Sequence, residues 1–220
     1  MKCKIFGYEY KNLEVVLAPG ETFYAERGSV VYAEEGIDRN IEVNSGKPGG
    51  GVGSILGSAI KSGLSGESVL IIRFTNATNG ERKMVLAGSL CALQHIKLLN
   101  GETLLCRRGR YVASTSKVRL NIKLSAQGFL GGLAAFQRVE GEATVFLDSM
   151  GTPIEKRLGK GESIDVDEDH IVALHGFSPQ QIQANWSMGN IFGGEGVSLM
   201  RVTGPGTIYL SPVTMKIRTY

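Results

Sequence analysis

One short pattern occurs three times along this 220-residue chain, and it constrains the fold more than any other feature. In each copy an apolar run ends in a Gly-Glu step, and a turn-forming residue occupies the eighth position after that glycine. The steps are Gly20-Glu21, Gly101-Glu102 and Gly161-Glu162, and the eighth residues are Gly28, Gly109 and Asp169. Because a β-rich run follows each eighth residue, every copy predicts a strand, a Gly-Glu turn, a strand, a second turn and a third strand.

Each copy continues through a glycine-rich apolar connection into two further β-rich runs. The connections are residues 49–68, 126–136 and 187–196. The runs that follow are 69–75 with 83–87, 133–138 with 143–147, and 197–202 with 207–210. Turn residues join the members of each pair, as the segment Gly204-Pro205-Gly206 does in the third copy. We expect each pair to be two paired strands joined by a tight turn, which close the unit.

The three units predict one all-β domain that spans residues 1–220. They cover about residues 13–90, 96–150 and 154–212, and no linker lies between them. Consistent spacing inside the units favours a closed β-sandwich or short barrel over an open stack of repeats. A short helix is expected in the first connection, where Ile55, Leu56, Ile60 and Leu64 fall on one side of a helix.

Composition excludes several classes of protein. Apolar residues make up 42% of the chain, and the 30 glycines are scattered among them, which favours tight turns in an ordered fold over disorder. No stretch approaches the roughly 18 consecutive apolar residues of a membrane span, and the start lacks the features of a signal peptide. The cysteines Cys3, Cys91 and Cys106 have no metal-ligand spacing. They predict reduced thiols, and we expect a cytoplasmic protein.

Several blocks of the chain resemble the mitochondrial-biogenesis family, also called altered inheritance of mitochondria. The blocks are residues 49–75, 101–114, 192–197 (FGGEGV) and 204–210 (GPGTIYL). The resemblance implies internal threefold pseudo-symmetry and a double-stranded β-helix of the superfamily named after the tryptophan RNA-binding attenuation protein. Eukaryotic members of the family sit in mitochondria and affect inner-membrane organisation. The family brings no catalytic residues, and we expect no cofactor.

The middle copy departs from the family pattern. The first connection ends in Gly66-Glu67 and the third in Gly194-Glu195, whereas Gly131-Gly132-Leu133 stands in the second. A role that is shared by Glu67 and Glu195 is therefore not threefold in this chain.

Metal or small-molecule binding, with or without catalysis, is one alternative function. The resemblance draws attention to metal sites, because double-stranded β-helix folds often hold a metal on a His-x-His pair, but the chain has none. His170 and His175 are five residues apart and would face opposite sides of one strand, although Asp165 and other acids lie nearby. The segment Asp165–His175 is therefore a weak candidate metal site. No serine-hydrolase elbow or nucleotide-binding motif occurs, and we expect no enzyme activity.

RNA binding is the second alternative. The densest basic region lies between Arg107 and Lys123 and contains Arg107, Arg108, Arg110, Lys117, Arg119 and Lys123. Tyr111 is the one aromatic residue among them, so the stacking platform that single-stranded RNA requires is thin. The net charge is only +3, and nucleic acid is not an expected partner.

The glycine-rich connections are the predicted interaction surface. A pseudo-threefold axis would gather their large apolar residues at one end of the domain, namely Ile55, Leu56, Ile60, Leu64, Phe129, Leu130, Leu133, Ile191 and Phe192. If these residues are exposed they mark a self-association or membrane-contact surface, and if they are buried they cover the ends of the β-core. The leading hypothesis is a non-enzymatic scaffold or binding protein that forms a homo-oligomer and engages a protein or membrane surface.

Overall fold

A computed structural model describes residues 1–44, 69–121, 136–185 and 199–214. Their regular secondary structure is β-strand apart from two short 3-10 helices at Glu168–His170 and Pro179–Gln181. The all-β class that the sequence predicts is therefore confirmed. Within the described ranges, no helix has the length and apolar character that crossing a membrane requires.

The strands fall into three units of six, preceded by one extra strand, β1 (Lys2–Phe6). The first unit is β2 (Asn12–Leu17), β3 (Thr22–Glu26), β4 (Val30–Ala33), β5 (Ile37–Asn44), β6 (Val69–Asn76) and β7 (Arg82–Ala87). The second is β8 (Ala92–Leu98), β9 (Leu104–Arg107), β10 (Tyr111–Ser114), β11 (Arg119–Asn121), β12 (Phe136–Glu140) and β13 (Ala143–Ser149). The third is β14 (Ile154–Leu158), β15 (Ser163–Asp167), β16 (Ile171–His175), β17 (Ile182–Asn185), β18 (Leu199–Thr203) and β19 (Gly206–Leu210).

The same antiparallel pairing is repeated in all three units. The sixth strand of a unit pairs with its first and third strands, and the fifth strand pairs with its second and fourth. The register of the third strand against the sixth also shifts at the same place each time, just before Tyr32, Ala113 and Ala173. The repeated sequence pattern therefore corresponds to a repeated β-module with a bulge at a fixed position.

The expected pairing of the last two strands in each unit is wrong. The fifth and sixth strands are consecutive in the chain, but they belong to different sheets in every unit. Each connecting turn thus carries the chain from one sheet to the other instead of closing a hairpin. In the third unit a Cβ on Gly204 would lie 2.3 Å from the carbonyl oxygen of Gly159, so only glycine fits at this crossing.

Successive units are joined by one repeated strand pair. The second strand of the first unit, β3, pairs with β10, the third strand of the second unit, and β9 pairs with β16 in the same way. The registers are equivalent, since Ala25 lies opposite Ala113 and Cys106 lies opposite Ala173. Two six-stranded sheets therefore each contain strands of two units, and smaller sheets stand at the ends of the series, β1-β2-β7-β4 and β15-β18-β17.

The apolar core follows the same organisation. Each unit encloses its own cluster of buried side chains, and each cluster includes residues from a neighbouring unit. The second unit contributes Val112 and Phe146 to the core of the first, and Leu105 and Phe136 to the core of the third. Burial of aromatic and branched side chains across these sheets stabilises the junctions by about 25 cal/mol per Å² of apolar area.

The predicted interaction surface lies outside the described residues. This applies to all nine apolar residues of the glycine-rich connections and to the steps Gly66-Glu67 and Gly194-Glu195. The described residues form the units themselves and the junctions between them.

Candidate functional site at the unit junctions

The three Gly-Glu steps form the same turn. The glycines Gly20, Gly101 and Gly161 have φ angles of 75°, 84° and 83°. A Cβ at any of these positions would meet no atom within 4 Å, so the requirement for glycine comes from the backbone conformation. In each turn the glutamate backbone nitrogen donates to the carbonyl three residues earlier, at distances of 3.0, 3.1 and 3.2 Å.

The glutamate side chain closes each of these turns. Its Oε2 atom accepts a hydrogen bond from the backbone nitrogen three residues earlier, at 2.8 Å for Glu21, 2.8 Å for Glu102 and 2.7 Å for Glu162. The Met1 ammonium, followed by the Ala18 N–H, lowers the pKa of Glu21, and the Leu99 N–H lowers the pKa of Glu102. These carboxylates therefore have a structural role in the turns.

The two candidate metal-binding histidines are engaged in separate contacts. Nδ1 of His170 lies 2.8 Å from the carbonyl oxygen of Ser211, and Nε2 of His175 lies 3.0 Å from Oε2 of Glu102. Asp165 forms a bidentate ion pair with Arg201, with distances of 2.8 and 2.7 Å. In the parts of the chain that the structure describes, no group of three or more His, Cys, Asp or Glu side chains is arranged to hold a metal ion.

Carboxylates neutralise much of the basic region. Arg107 pairs with Asp169 at 2.8 Å, Lys117 with Glu42 at 2.6 Å and Arg119 with Glu140 at 3.3 Å. Asp169 does not form the glycine-like turn found at the equivalent position of the other units, because it belongs to a 3-10 helix capped by the Asp167 side chain. Lys123 lies outside the described residues.

At each end of the series of described units, one strand has an unpaired edge. Its counterparts in the other units use that edge for pairing. β4 is the counterpart of β10 and β16, yet it is the last strand of its sheet, and β15, the counterpart of β3 and β9, is the first strand of its own. Val31 on β4 is 59% exposed, whereas its equivalents Val112 and Val172 are 3% and 0% exposed. The interface that joins successive units is thus left half-formed at each end of the described structure.

A cleft of about 300 Å³ lies at the junction between the first and second units. It is bounded by the turn after β3, the segment after β7, the start of β10 and the end of β13, and its polar lining comprises Glu26, Arg27, Ser29, Ser89, Tyr111 and Asp148. A pocket of this volume is at the small end of the range that binds low-molecular-weight ligands.

Asp148 is the most deeply buried charged group in the cleft, with 1% of its surface exposed. Its Oδ2 atom accepts hydrogen bonds from the Ser89 hydroxyl at 2.9 Å and the Leu90 backbone nitrogen at 2.8 Å. Its Oδ1 atom is buried and has no hydrogen-bond partner. The carboxylate packs against Gly88, where a Cβ would lie 2.3 Å from Oδ1, so a larger residue at Gly88 would displace it.

Glu26 is the second acid of the cleft. Burial, followed by the negative charge of Asp148, raises its pKa to about 7. Burial also raises the pKa of Asp148, although hydrogen bonds from Ser89 and Leu90 and the positive charge of Arg110 oppose that shift. Two carboxyl groups with raised pKa values in one cleft are typical of a binding or catalytic site.

Repeat symmetry shows that Asp148 is special to this junction. Ala87, Asp148 and Ser211 occupy equivalent positions, because their backbone nitrogens donate to the carbonyls of the equivalent residues Ser29, Arg110 and His170. Sequence analysis missed both Asp148 and Glu26, since each lies at the end of an apolar run, where an acid usually faces solvent. Alignment of the three copies is the signal that could have revealed Asp148, the one charged residue at this position.

Comparison with known proteins identifies the family. The family model described as mitochondrial biogenesis AIM24 matches residues 3–213. An uncharacterised protein of Streptococcus pyogenes serotype M6 is 31% identical over 216 residues, covering 94% of this chain and 84% of that protein. The crystal structure of a Streptococcus pyogenes protein superposes with a TM-score of 0.68 at 22% identity, covering 97% of this chain and 94% of the other, which shows a shared fold. The chain therefore belongs to the AIM24 mitochondrial biogenesis family.

Proposed function

We propose that this protein is a non-catalytic scaffold whose copies associate head to tail, with β4 of one copy paired to β15 of the next. The observation that carries the proposal is the unfinished series of unit junctions. The chain forms the pair between second and third strands twice, and the two remaining strands of this type end their sheets in the described structure.

The free edges of β4 and β15 favour pairing with another strand. An unpaired strand edge presents a row of backbone N–H and C=O groups, and proteins normally cover or disrupt it. All four β4 residues are apolar, and Tyr32 is 47% exposed beside Val31. By analogy with the internal junctions, Val166 of β15 would lie opposite Tyr32, and Asp165 opposite Ala33. A pairing of two different surfaces produces rings or open chains of copies.

The backbone of β4 is oriented for such pairing. The Glu34 nitrogen donates to the Lys83 carbonyl of β7 at 3.0 Å. Because N–H directions alternate along a strand, the Ala33 N–H points toward the free edge. The apolar residues of the glycine-rich connections remain proposed contacts for a protein or membrane surface, and liposome flotation with Leu56→Asp tests that contact separately.

Sedimentation velocity across a concentration series tests the head-to-tail association. Ala33→Pro removes the outward N–H, whereas the matched control Ala33→Val retains it. We expect wild type and Ala33→Val to form larger species as concentration rises, and Ala33→Pro to stay monomeric with an unchanged circular dichroism spectrum. A wild-type protein that is monomeric at every concentration, or equal association of the two variants, would contradict the proposal.

A further inference from the structure

We propose that the cleft between the first and second units binds a small organic cation, a primary ammonium or a guanidinium group, between the carboxylates of Glu26 and Asp148. This binding site is independent of the association of copies through β4 and β15, because it lies at a junction that is complete within one chain.

The unpartnered oxygen of Asp148 is the first reason. A buried carboxylate oxygen without a hydrogen bond costs free energy that a donor from a ligand recovers. Oδ2 already accepts hydrogen bonds from the Ser89 hydroxyl and the Leu90 nitrogen, whereas Oδ1 accepts none.

The two serine hydroxyls of the lining have no free donor for Oδ1 of Asp148. The Ser29 hydroxyl donates to the Glu26 backbone carbonyl at 2.8 Å, and the Ser89 hydroxyl donates to Asp148, so both donors are committed. The oxygen lone pairs of both hydroxyls remain as acceptors. Arg27 belongs to the lining, and the positive charge of Arg110 also acts on Asp148, but Oδ1 of Asp148 has no hydrogen bond from either side chain. A ligand that brings several N–H donors and a positive charge satisfies this set of acceptors.

The second junction provides an internal comparison. There the position of Glu26 is occupied by Arg107, whose guanidinium pairs with Asp169 at 2.8 Å, and the position of Asp148 is occupied by Ser211. The Ser211 hydroxyl donates to the Met150 carbonyl at 2.8 Å. At the second junction both equivalent side chains therefore have partners, whereas the first junction leaves Oδ1 of Asp148 without a hydrogen bond. A cation would thus bind at one junction of the two.

Isothermal titration calorimetry at pH 8 tests the inference, with methylguanidinium and butylammonium as probes and N-methylurea as the neutral counterpart of the guanidinium. We expect saturable one-to-one binding of at least one cation and none of N-methylurea. Asp148→Asn and Glu26→Gln should each weaken that binding about tenfold or more, whereas Glu155→Gln on the exposed strand β14 should leave it unchanged.

Two outcomes would overturn the inference. One is the absence of saturable binding of both cations to the wild-type protein. The other is binding that Glu26→Gln leaves at wild-type affinity. Glu26→Gln keeps the test decisive even if Asp148→Asn fails to fold, because the Glu26 side chain takes no part in the hydrogen bonds that cap the segment after β7.

Discussion

Oε2 of Glu102 lies 2.8 Å from the backbone nitrogen of Leu99 and 3.0 Å from Nε2 of His175, so one carboxylate oxygen closes a turn in the second unit and contacts the third. The Thr103 carbonyl next to it accepts a hydrogen bond from the Gly176 nitrogen at 2.9 Å. Turn chemistry and the assembly of units therefore depend on the same residues.

Replacement of Glu102 by glutamine should lower stability in a pH-dependent way. The Leu99 N–H holds the pKa of Glu102 below its usual value, so its ionised form stabilises the fold above the unfolded-state pKa, and this contribution is lost as pH falls through the folded-state value. Because the side chain is partly exposed, we expect a loss of about 0.5–1 kcal/mol at pH 7. Urea unfolding at pH 7 and at pH 3 measures it, and an equal difference at both pH values would contradict the account.

Alanine at Gly161 should be costly although space for its Cβ is available. The cost in stability comes from the backbone φ of 83°, since no atom lies within 4 Å of the added carbon. We expect Gly161→Ala to reduce the free energy of unfolding by about 1–2 kcal/mol, and Gly161→Asn to cost less, because asparagine tolerates the left-handed region. Thermal unfolding of both variants checks the order, and equal stability of alanine and glycine would refute it.

Glu26→Gln should stabilise the protein at high pH. Burial raises the pKa of Glu26 from its ordinary value of 4.5 to about 7, so the folded state favours the protonated acid. Stability from this group is complete below pH 4.5 and is lost as pH rises through about 7. With Asp148, Arg27 and Tyr111 lining the same cleft and the Arg110 charge acting on Asp148, we expect a gain of about 1–2 kcal/mol at pH 8 and none at pH 4. Unfolding curves that show no gain at pH 8 would exclude the buried-acid description.

Cys106 should be protected from alkylation in the folded protein. It is completely buried, and burial raises the pKa of its thiol to about 12. Iodoacetamide treatment at pH 8, followed by peptide mass spectrometry, should modify Cys106 only after denaturant is added. Rapid modification of Cys106 under native conditions would show that the junction between the second and third units opens readily.

The repeat could be predicted from the sequence because the conformation of a turn depends on residues that are close in the chain. Gly20, Gly101 and Gly161 are required by backbone conformation within a few residues, and such requirements are visible in sequence. The partner of a strand is not local: nothing in the turn around Gly204 tells whether the next strand joins the same sheet, and the expected hairpins were wrong for that reason. The double-stranded β-helix description and the role of the glycine-rich connections stay predictions.

The cleft was harder to predict from the sequence than the repeat was. Glu26 and Asp148 are 122 positions apart and meet only because β3 pairs with β10, which in turn pairs with β13. Sequence periodicity describes single strands and does not show which residues of different strands meet in one cavity. Comparison of the three copies would have isolated Asp148, since its equivalents Ala87 and Ser211 are uncharged.

Cysteine cross-linking between mixed variants tests the central claim of head-to-tail pairing most directly. In a Cys3→Ser background, Ala33→Cys and Asp165→Cys proteins are mixed and treated with a short bismaleimide, and Tyr10→Cys replaces Ala33→Cys in the control. The account predicts a cross-linked dimer from the Ala33→Cys and Asp165→Cys mixture and none from the control. A mixture that yields no cross-linked dimer would contradict it. So would a protein that carries both Ala33→Cys and Asp165→Cys and cross-links only within one chain.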